Sequence, residues 1–237
     1  MSPLATPRAL VFDWDNTLVD NWPAIHQALN ATFAAMGHEL WTLDETKARV
    51  RKSLRDSFPE MFGGRWEDAR KVFYDTFAEV HLTHLQPLAG AGEGLATLVA
   101  AGLPLAVVSN KNGAYLRAEA DALGWSGHFI HIVGATDAAA DKPAPDPVHM
   151  ALLDSGLTPG PDIWFIGDGA IDVECAKAAG LTPIVLESPE IRAELTRHKL
   201  DQFVGDDNFV AGMSGLLALL GLEVRTTARS KKETSGP

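Results

Sequence analysis

The sequence predicts an α/β protein: a doubly wound parallel sheet with an inserted all-helical segment. Three observations predict it. Short apolar runs alternate with helix-period patterns along most of the chain. The first apolar run ends directly in two closely spaced acids, Asp13 and Asp15. One block, from about Asn21 to Leu85, breaks the alternation and carries helical patterns alone.

The first element is the run Ala9–Asp13, apolar and β-branched enough to read as a buried parallel strand. It leads into Asp13-Trp14-Asp15-Asn16-Thr17. Carboxylates at the C-terminal end of such a strand lie where open α/β sheets bind their ligands. Neither acid is stable there without a cation or a dense set of donors. Three amphipathic helical patterns follow, at Trp22–Met36, Leu43–Leu54 and Trp66–His84. Pro87 and the glycines Gly90, Gly92 and Gly94 mark the return to the alternating pattern and suit a hinge. The remaining strands are expected at Leu103–Ser109, Phe129–Gly134, Ile163–Gly167 and Pro183–Glu187, with helices at Glu93–Ala101, Ala114–Leu123, Pro147–Ser155 and Ala170–Ala179.

The expected division is a core of residues 1–20 and 86–223, a helical cap of residues 21–85, and a polar tail of residues 224–237 that reads as disordered. A cap inserted just after the acidic loop would hang over it as a lid; the alternative is that its helices pack on one face of the core. The sequence contains no internal repeats and no heptads.

A chain of 237 residues can bury a substantial core. Its 46% hydrophobic and 22% charged content is that of an ordinary globular protein. The net charge of −11 argues against nucleic acid or an anionic membrane as partner. An anionic substrate must then be drawn in by a local cation, a metal or placed lysines. The single cysteine, Cys175, excludes an intramolecular disulfide and a cysteine-based zinc site, and its helical pattern reads as buried packing. No basic-then-apolar leader pattern occurs in residues 1–7 and no window approaches the ~20 apolar residues of a membrane span, so a cytoplasmic protein is expected. Nothing marks an oligomer surface.

Three strand ends carry chemistry-bearing groups. The first gives Asp13 and Asp15; the second gives Ser109-Asn110-Lys111; the run Ile163-Trp164-Phe165-Ile166 gives Gly167-Asp168-Gly169 and then Asp172. Lys142-Pro143-Ala144-Pro145 follows a further strand on the same edge, with the prolines stiffening the turn. In a parallel sheet these groups converge. Acids, a hydroxyl and a lysine together describe a Mg²⁺-dependent phosphate site. Mg²⁺ prefers oxygen ligands, for which Asp13 and Asp168 are the natural carboxylates, with Asp172 beside them. Asp13 can attack phosphorus, and Asp15 can protonate the leaving oxygen and then activate water. Ser109, Asn110 and Lys142 are the candidate phosphate-binding groups, although Asn110 reads more simply as support for its loop or for metal-bound waters.

In this order, Asp13-Trp14-Asp15-Asn16-Thr17, Ser109, Lys142 and Gly167-Asp168-x-x-x-Asp172 resemble the four motifs of the haloacid dehalogenase-like hydrolase superfamily. The resemblance runs from about Arg8 to Gly221, and the helical insert matches the family's first type of cap. It implies that Asp13 is the nucleophile, Asp15 the acid and base, and the Asp15 backbone carbonyl a further metal ligand beside Asp13, Asp168 and Asp172. Leu18-Val19-Asp20-Asn21, Ala28-Leu29-Asn30-Ala31-Thr32, Ser109-Asn110-Lys111 and the stretch from Asp168 to Gly180 are similar to the phosphoglycolate phosphatases. Related phosphatases of nucleotides, sugar phosphates and pyrophosphate share such segments. Asn16 stands where the family usually has Gly, and Asn tolerates the left-handed conformation. Trp14 replaces a smaller apolar residue and reads as core packing.

Asp15 separates phosphate-ester hydrolysis from the dehalogenase and phosphonatase branches, which resemble this chain but lack an acid there. The reading is therefore a Mg²⁺-dependent phosphatase of a small phosphorylated metabolite, with phosphoglycolate foremost. The alternatives are a phosphatase of another small ester, a hexose-phosphate mutase, and a non-catalytic regulatory protein of the same fold. Arg51 and Lys52 are the cap candidates for a second anionic group of the substrate, with Arg49 and Arg55 as alternatives on the same expected helix; a solvated helix face is the simpler account of them. Lys111 either aids the phosphate site or faces solvent. His26 lies near where a mutase-type cap signature would fall, but a lone His on a helix reads as surface or core, with substrate contact as the alternative; His128 and His131 show no metal-ligand spacing and read as structural.

Overall fold

The computed structural model describes residues 4–50 and 53–224. The chain runs β1 (Ala9–Phe12), β2 (Val19–Asp20), α1 (Trp22–Met36), α2 (Leu43–Arg49), α3 (Leu54–Phe62), α4 (Trp66–Val80), β3 (Gln86–Pro87), α5 (Ala91–Ala100), β4 (Leu105–Asn112), α6 (Gly113–Ala122), β5 (His131–Ala135), α7 (Asp146–Ala151), β6 (Ile163–Gly167), α8 (Ala170–Ala178), β7 (Thr182–Leu186), α9 (Ile191–Arg197), β8 (Phe209–Val210) and α10 (Gly212–Leu219). Six strands form one parallel sheet in the order β5-β4-β1-β6-β7-β8. The expected doubly wound α/β fold is what the chain adopts.

Strand side chains alternate between the two faces, and each face is covered by helices. Leu10, Phe12, Leu105, Val107, Trp164 and Ile166 meet α5, α6 and α10 through Leu95, Leu98, Leu116 and Leu216. Ala9, Val11, Ala106, Val108 and Phe165 meet α7 and α8 through Val148, Ala151, Cys175 and Ala176. From β1 the chain steps outward to β4 and β5, then returns to the other side of β1 for β6, β7 and β8. The direction of winding reverses beside β1. Such a point leaves a crevice at the carboxyl ends of the strands.

Helices α1, α3 and α4 form a separate apolar cluster built on Ala24, Ala28, Leu29, Phe33, Phe58, Phe62, Phe73 and Phe77. Helix α1 starts with a proline in its first turn, where its missing N–H costs nothing, and ends at Gly37 with φ 77°. The strand pair β2–β3, antiparallel with Val19 opposite Pro87 and Asp20 opposite Gln86, holds the two chain crossings side by side.

Several boundaries differ from expectation. The single helix expected over Leu43–Leu54 is two. A capping box of Thr42 and Glu45 starts α2, which ends at Arg49 where Val50 turns extended, and α3 begins after an extended Ser53. Arg51 and Lys52 lie between them, outside the described residues. Helix α4 stops at Val80 rather than His84, and α7 at Ala151 rather than Ser155. The second strand of the sheet reaches Asn112, beyond the expected Ser109. The expected tail falls outside the described residues beyond Val224. Among the described residues, no helix is long and apolar enough to cross a membrane.

Candidate active site

The C-terminal ends of β1, β4 and β6 and the loop after β5 open onto one cavity of about 1020 Å³, roofed by α1 to α4. Asp13, Asp15, Ser109, Asn110, Lys142, Asp168 and Asp172 all line it. Register accounts for the convergence. Phe12 pairs with Val107 on one side and Ile166 on the other, so Asp13 is level with Val108 and Gly167, and Ser109 and Asp168 follow one residue farther along the same edge. The Asp13 N–H donates to Ile166 O (2.9 Å), which holds the loop down on β6.

Asp13, Asp168 and Asp172 each offer a carboxylate oxygen, all within 4.8 Å of one another. Lys142 Nζ bridges two of them, 2.7 Å from Asp13 Oδ1 and 2.7 Å from Asp172 Oδ1. Burial raises the Asp13 carboxyl; Lys142 opposes that, Asp172 and Asp15 add to it, and the group is pushed up to about 7. Burial, then Asp172 and Asp13, likewise hold Asp168 well above the ordinary carboxylate range. Burial works against the Lys142 ammonium, but the charges of Asp13 and Asp172 outweigh it and raise its pKa. One ammonium is therefore too little cation for these acids. The donor set, oxygen alone and strongly desolvated, fits a hard divalent ion. Asn16, with φ 63°, fits the same picture: its Oδ1 is buried on the cavity wall without a partner among the described residues.

Glycine and helix termini fix the acids from below. Asp172 sits in the first turn of α8, and its Oδ2 accepts from Gly169 N at 3.0 Å. A Cβ on Gly167 would collide with that carboxylate, so only glycine lets β6 and α8 approach this closely. Thr17 Oγ1 donates to Asp168 Oδ1 at 3.4 Å. The Lys142–Pro143 peptide is cis. The Asn110 amide is occupied with the Lys142 backbone, donating to its carbonyl (3.1 Å) and accepting from its N–H (2.9 Å). Ser109 Oγ accepts from Lys111 N at 3.2 Å.

Asp15 stands beside this cluster, in a different setting. Its Oδ1 accepts from Asn21 Nδ2 (2.7 Å) and from Lys111 Nζ (2.7 Å). Lys111, expected either to aid phosphate or to face solvent, is instead buried, its ammonium shared between Asp15 and the fully buried Glu119. Glu119 also accepts from Trp14 Nε1 (2.8 Å) and Asn21 Nδ2 (2.9 Å), and lies 3.0 Å from His81 Nδ1. Trp14 is thus core packing with a polar tether. Sequence reasoning missed Glu119 and His81. The available signal was an acid on the inward stripe of α6, between Leu116 and Ala120.

Arg49 lines the cavity on α2, over the Trp41 ring (4.8 Å) and paired with Glu45 (2.9 Å). Arg55, on α3, makes a bidentate pair with Asp141, next to Lys142. His26 bonds to Thr46 Oγ1 (3.0 Å), and His131 to Ala151 O (3.0 Å). Cys175 is buried, with Sγ donating to Ala144 O.

The haloacid dehalogenase-like hydrolase family model matches residues 10–186, from β1 through β7. The chain belongs to this family. Phosphoglycolate phosphatase of Rhodospirillum rubrum is 34% identical to it over 196 residues, covering 76% of this chain and 79% of its own. That of Pectobacterium atrosepticum is 31% identical over 188 residues, covering 76% and 80%. A haloacid dehalogenase-like hydrolase of Streptococcus pneumoniae shares the fold, with a TM-score of 0.75 at 22% identity over 90% of this chain and 97% of its own. This haloacid dehalogenase-like hydrolase is an enzyme of the phosphatase kind, as the motif order led us to expect.

Proposed function

We propose that the protein is a Mg²⁺-dependent phosphatase of a small phosphorylated metabolite, phosphoglycolate foremost, working through an aspartyl-phosphate on Asp13. One observation carries the reading: Asp13, Asp168 and Asp172 converge within 4.8 Å, with Lys142 on two of them and Asp15 set apart. The curated relatives named above support phosphoglycolate as the substrate. We take residues 1–20 and 86–223 as the catalytic core and residues 21–85 as a cap that covers the cavity.

Asp13, Asp168 and Asp172 would hold the metal, with the Asp15 carbonyl as the resemblance implies. When bound, it supplies positive charge that lets an anionic nucleophile approach an anionic phosphate. A carboxylate oxygen of Asp13 forms the new bond to phosphorus as the ester bond breaks, and the electron pair goes to the leaving oxygen. Asp15 gives that oxygen its proton, releasing the alcohol. The resulting Asp15 carboxylate then takes a proton from water as the water oxygen attacks phosphorus. The bond from phosphorus to Asp13 breaks, freeing phosphate and restoring both acids. Lys142, Ser109 and Asn110 hold the phosphoryl group or the loops around it; charge stabilisation of this kind is the main catalytic lever in phosphoryl transfer.

The test is phosphate release with Mg²⁺ from a panel of phosphoglycolate, nucleoside monophosphates, hexose phosphates and pyrophosphate, with Asp13→Asn as the blank. A preference for one ester, absent in the variant, is the expected result. Product isomerisation without phosphate release would replace the phosphatase reading with a mutase.

A further inference from the structure

We propose that Lys111 and Glu119 form a buried pair that positions Asp15, fixing its Oδ1 so that Oδ2 is the oxygen exchanging the proton with the leaving group. The inference rests on the assignment of Asp15 as acid and base above. A lysine ammonium has three N–H donors. Lys111 makes three contacts, to Asp15 Oδ1 (2.7 Å), Glu119 Oε1 (2.9 Å) and Glu119 Oε2 (2.7 Å), which leaves no donor for a phosphoryl oxygen. Glu119 is equally saturated. Its Oε2 accepts from Trp14, Asn21 and Lys111, and its Oε1 faces Lys111 and His81. It is fully buried, so it serves neither as acid, base nor ligand. What remains for it is to hold Lys111.

Stability alone does not account for the pair. A buried ion pair contributes little compared with apolar residues of the same volume, which would fill this space as well. The pair does instead what apolar residues cannot: it loads one oxygen of Asp15 with a cationic donor. Asn21 Nδ2 adds a second donor to the same oxygen, at 2.7 Å. Among the described residues no donor meets Oδ2. An oxygen accepting two donors cannot also carry a proton in that direction, so the proton belongs on Oδ2. Lys111 and Glu119 are positioning residues that act through Asp15, not catalytic residues.

The test compares kcat/KM, which reports steps through the first bond cleavage, for p-nitrophenyl phosphate and an alkyl phosphate with Mg²⁺. p-Nitrophenolate leaves without needing a proton; an alkoxide does not. Lys111→Met should lower kcat/KM for the alkyl ester by about 10- to 100-fold, the cost typical of a misplaced catalytic group, and leave the aryl ester little changed. Lys111→Met strands the Glu119 carboxylate, so the double variant Lys111→Met/Glu119→Gln carries the test if the single one does not fold. Asp15→Asn is the reference and should show the same selective loss, larger. An unchanged alkyl-to-aryl ratio in the double variant, or equal loss on both esters, overturns the proposal while Asp15→Asn still discriminates. If Asp15→Asn itself leaves the ratio untouched, the acid assignment falls first and the positioning role with it.

Discussion

At the scale of single residues, the chemistry follows from how badly the acids are solvated. Burial, then Asp172 and Asp15, hold the Asp13 carboxyl up at about 7 against the pull of Lys142. In the unfolded chain the same group titrates near 4, at about 3.9. Between those values the folded chain holds the proton that the unfolded chain has lost, so this group's contribution to stability falls as pH rises from about 4 to about 7. A divalent ion on the acids removes that penalty and adds its own binding energy. Mg²⁺ should therefore raise Tm more at pH 8 than at pH 5, read by thermal denaturation with and without EDTA. An equal shift at both pH values would take the three acids out of the metal site. Asp13→Asn should lose on the order of 10⁴-fold or more in kcat, as removal of a nucleophile does. Its Tm without metal should be no lower than that of the parent chain, because the substitution removes a desolvated charge. Residual turnover near the parent value would sink the nucleophile assignment. Cys175 belongs to the same scale. Burial raises its thiol to about 12, so it should resist alkylation at pH 8 until the chain unfolds.

At the scale of elements, legibility tracked the length and purity of each pattern. The strands Ala9–Phe12 and Ile163–Gly167 were readable because each is an unbroken apolar run ending in acids. Their order along one edge brought Asp13, Ser109, Lys142 and Asp168 together without any further information. Helix α1 was readable to the residue, since Asn21-Trp22-Pro23 and Gly37 punctuate it. The break between α2 and α3 was not, because Leu43, Val50 and Leu54 keep a helical spacing in the sequence, although Leu43 is exposed and only Val50 and Leu54 pack on the cluster. Strands β2 and β3 have two residues each, too short for a period, and they owe their existence to pairing with each other. The Arg55–Asp141 pair joins residues 86 apart and has no local signature. It ties α3 to the loop that carries Lys142, and Asp141 Oδ1 also accepts from Thr136 N at 3.1 Å. Arg55→Ala leaves the buried Asp141 with a lost charged partner, at a cost of about 1–3 kcal/mol. A drop in Tm of several degrees is expected. It should be accompanied by a raised KM, as the Lys142 loop loses its tether. No change in either would show that the pair is a surface contact without consequence.

For the whole molecule, the question is how a cavity roofed by four helices admits a substrate. The helical segment has an apolar cluster of its own, and its two connections to the sheet lie together at β2–β3. Among the described residues, two groups of side-chain contacts join it to the core. Near the connections, α4 packs on α6: Tyr74 stacks on Tyr115 (5.7 Å), His81 lies edge-on to it (4.9 Å), and His81 meets Glu119. Farther along the segment, Arg55 meets Asp141. A segment cohesive in itself, joined at one place and fastened at another, moves as a body about the joint when the fastening opens. The aromatic α4–α6 contact is the natural pivot, because opening it would expose the buried His81 and the fully buried Glu119 together. The exposed side of the Arg55 pair is the natural latch. Hydrogen exchange with and without Mg²⁺ and vanadate, a phosphate analogue, tests this directly. Protection should rise in α3 and the loop of residues 136–145, where closure would be consolidated. It should stay constant in α4 and α6, which remain packed in either state. Protection rising first along α4–α6 would place the pivot at the opposite end, and no change anywhere in residues 22–80 would mean that the helices are a fixed wall and that substrate enters by another route.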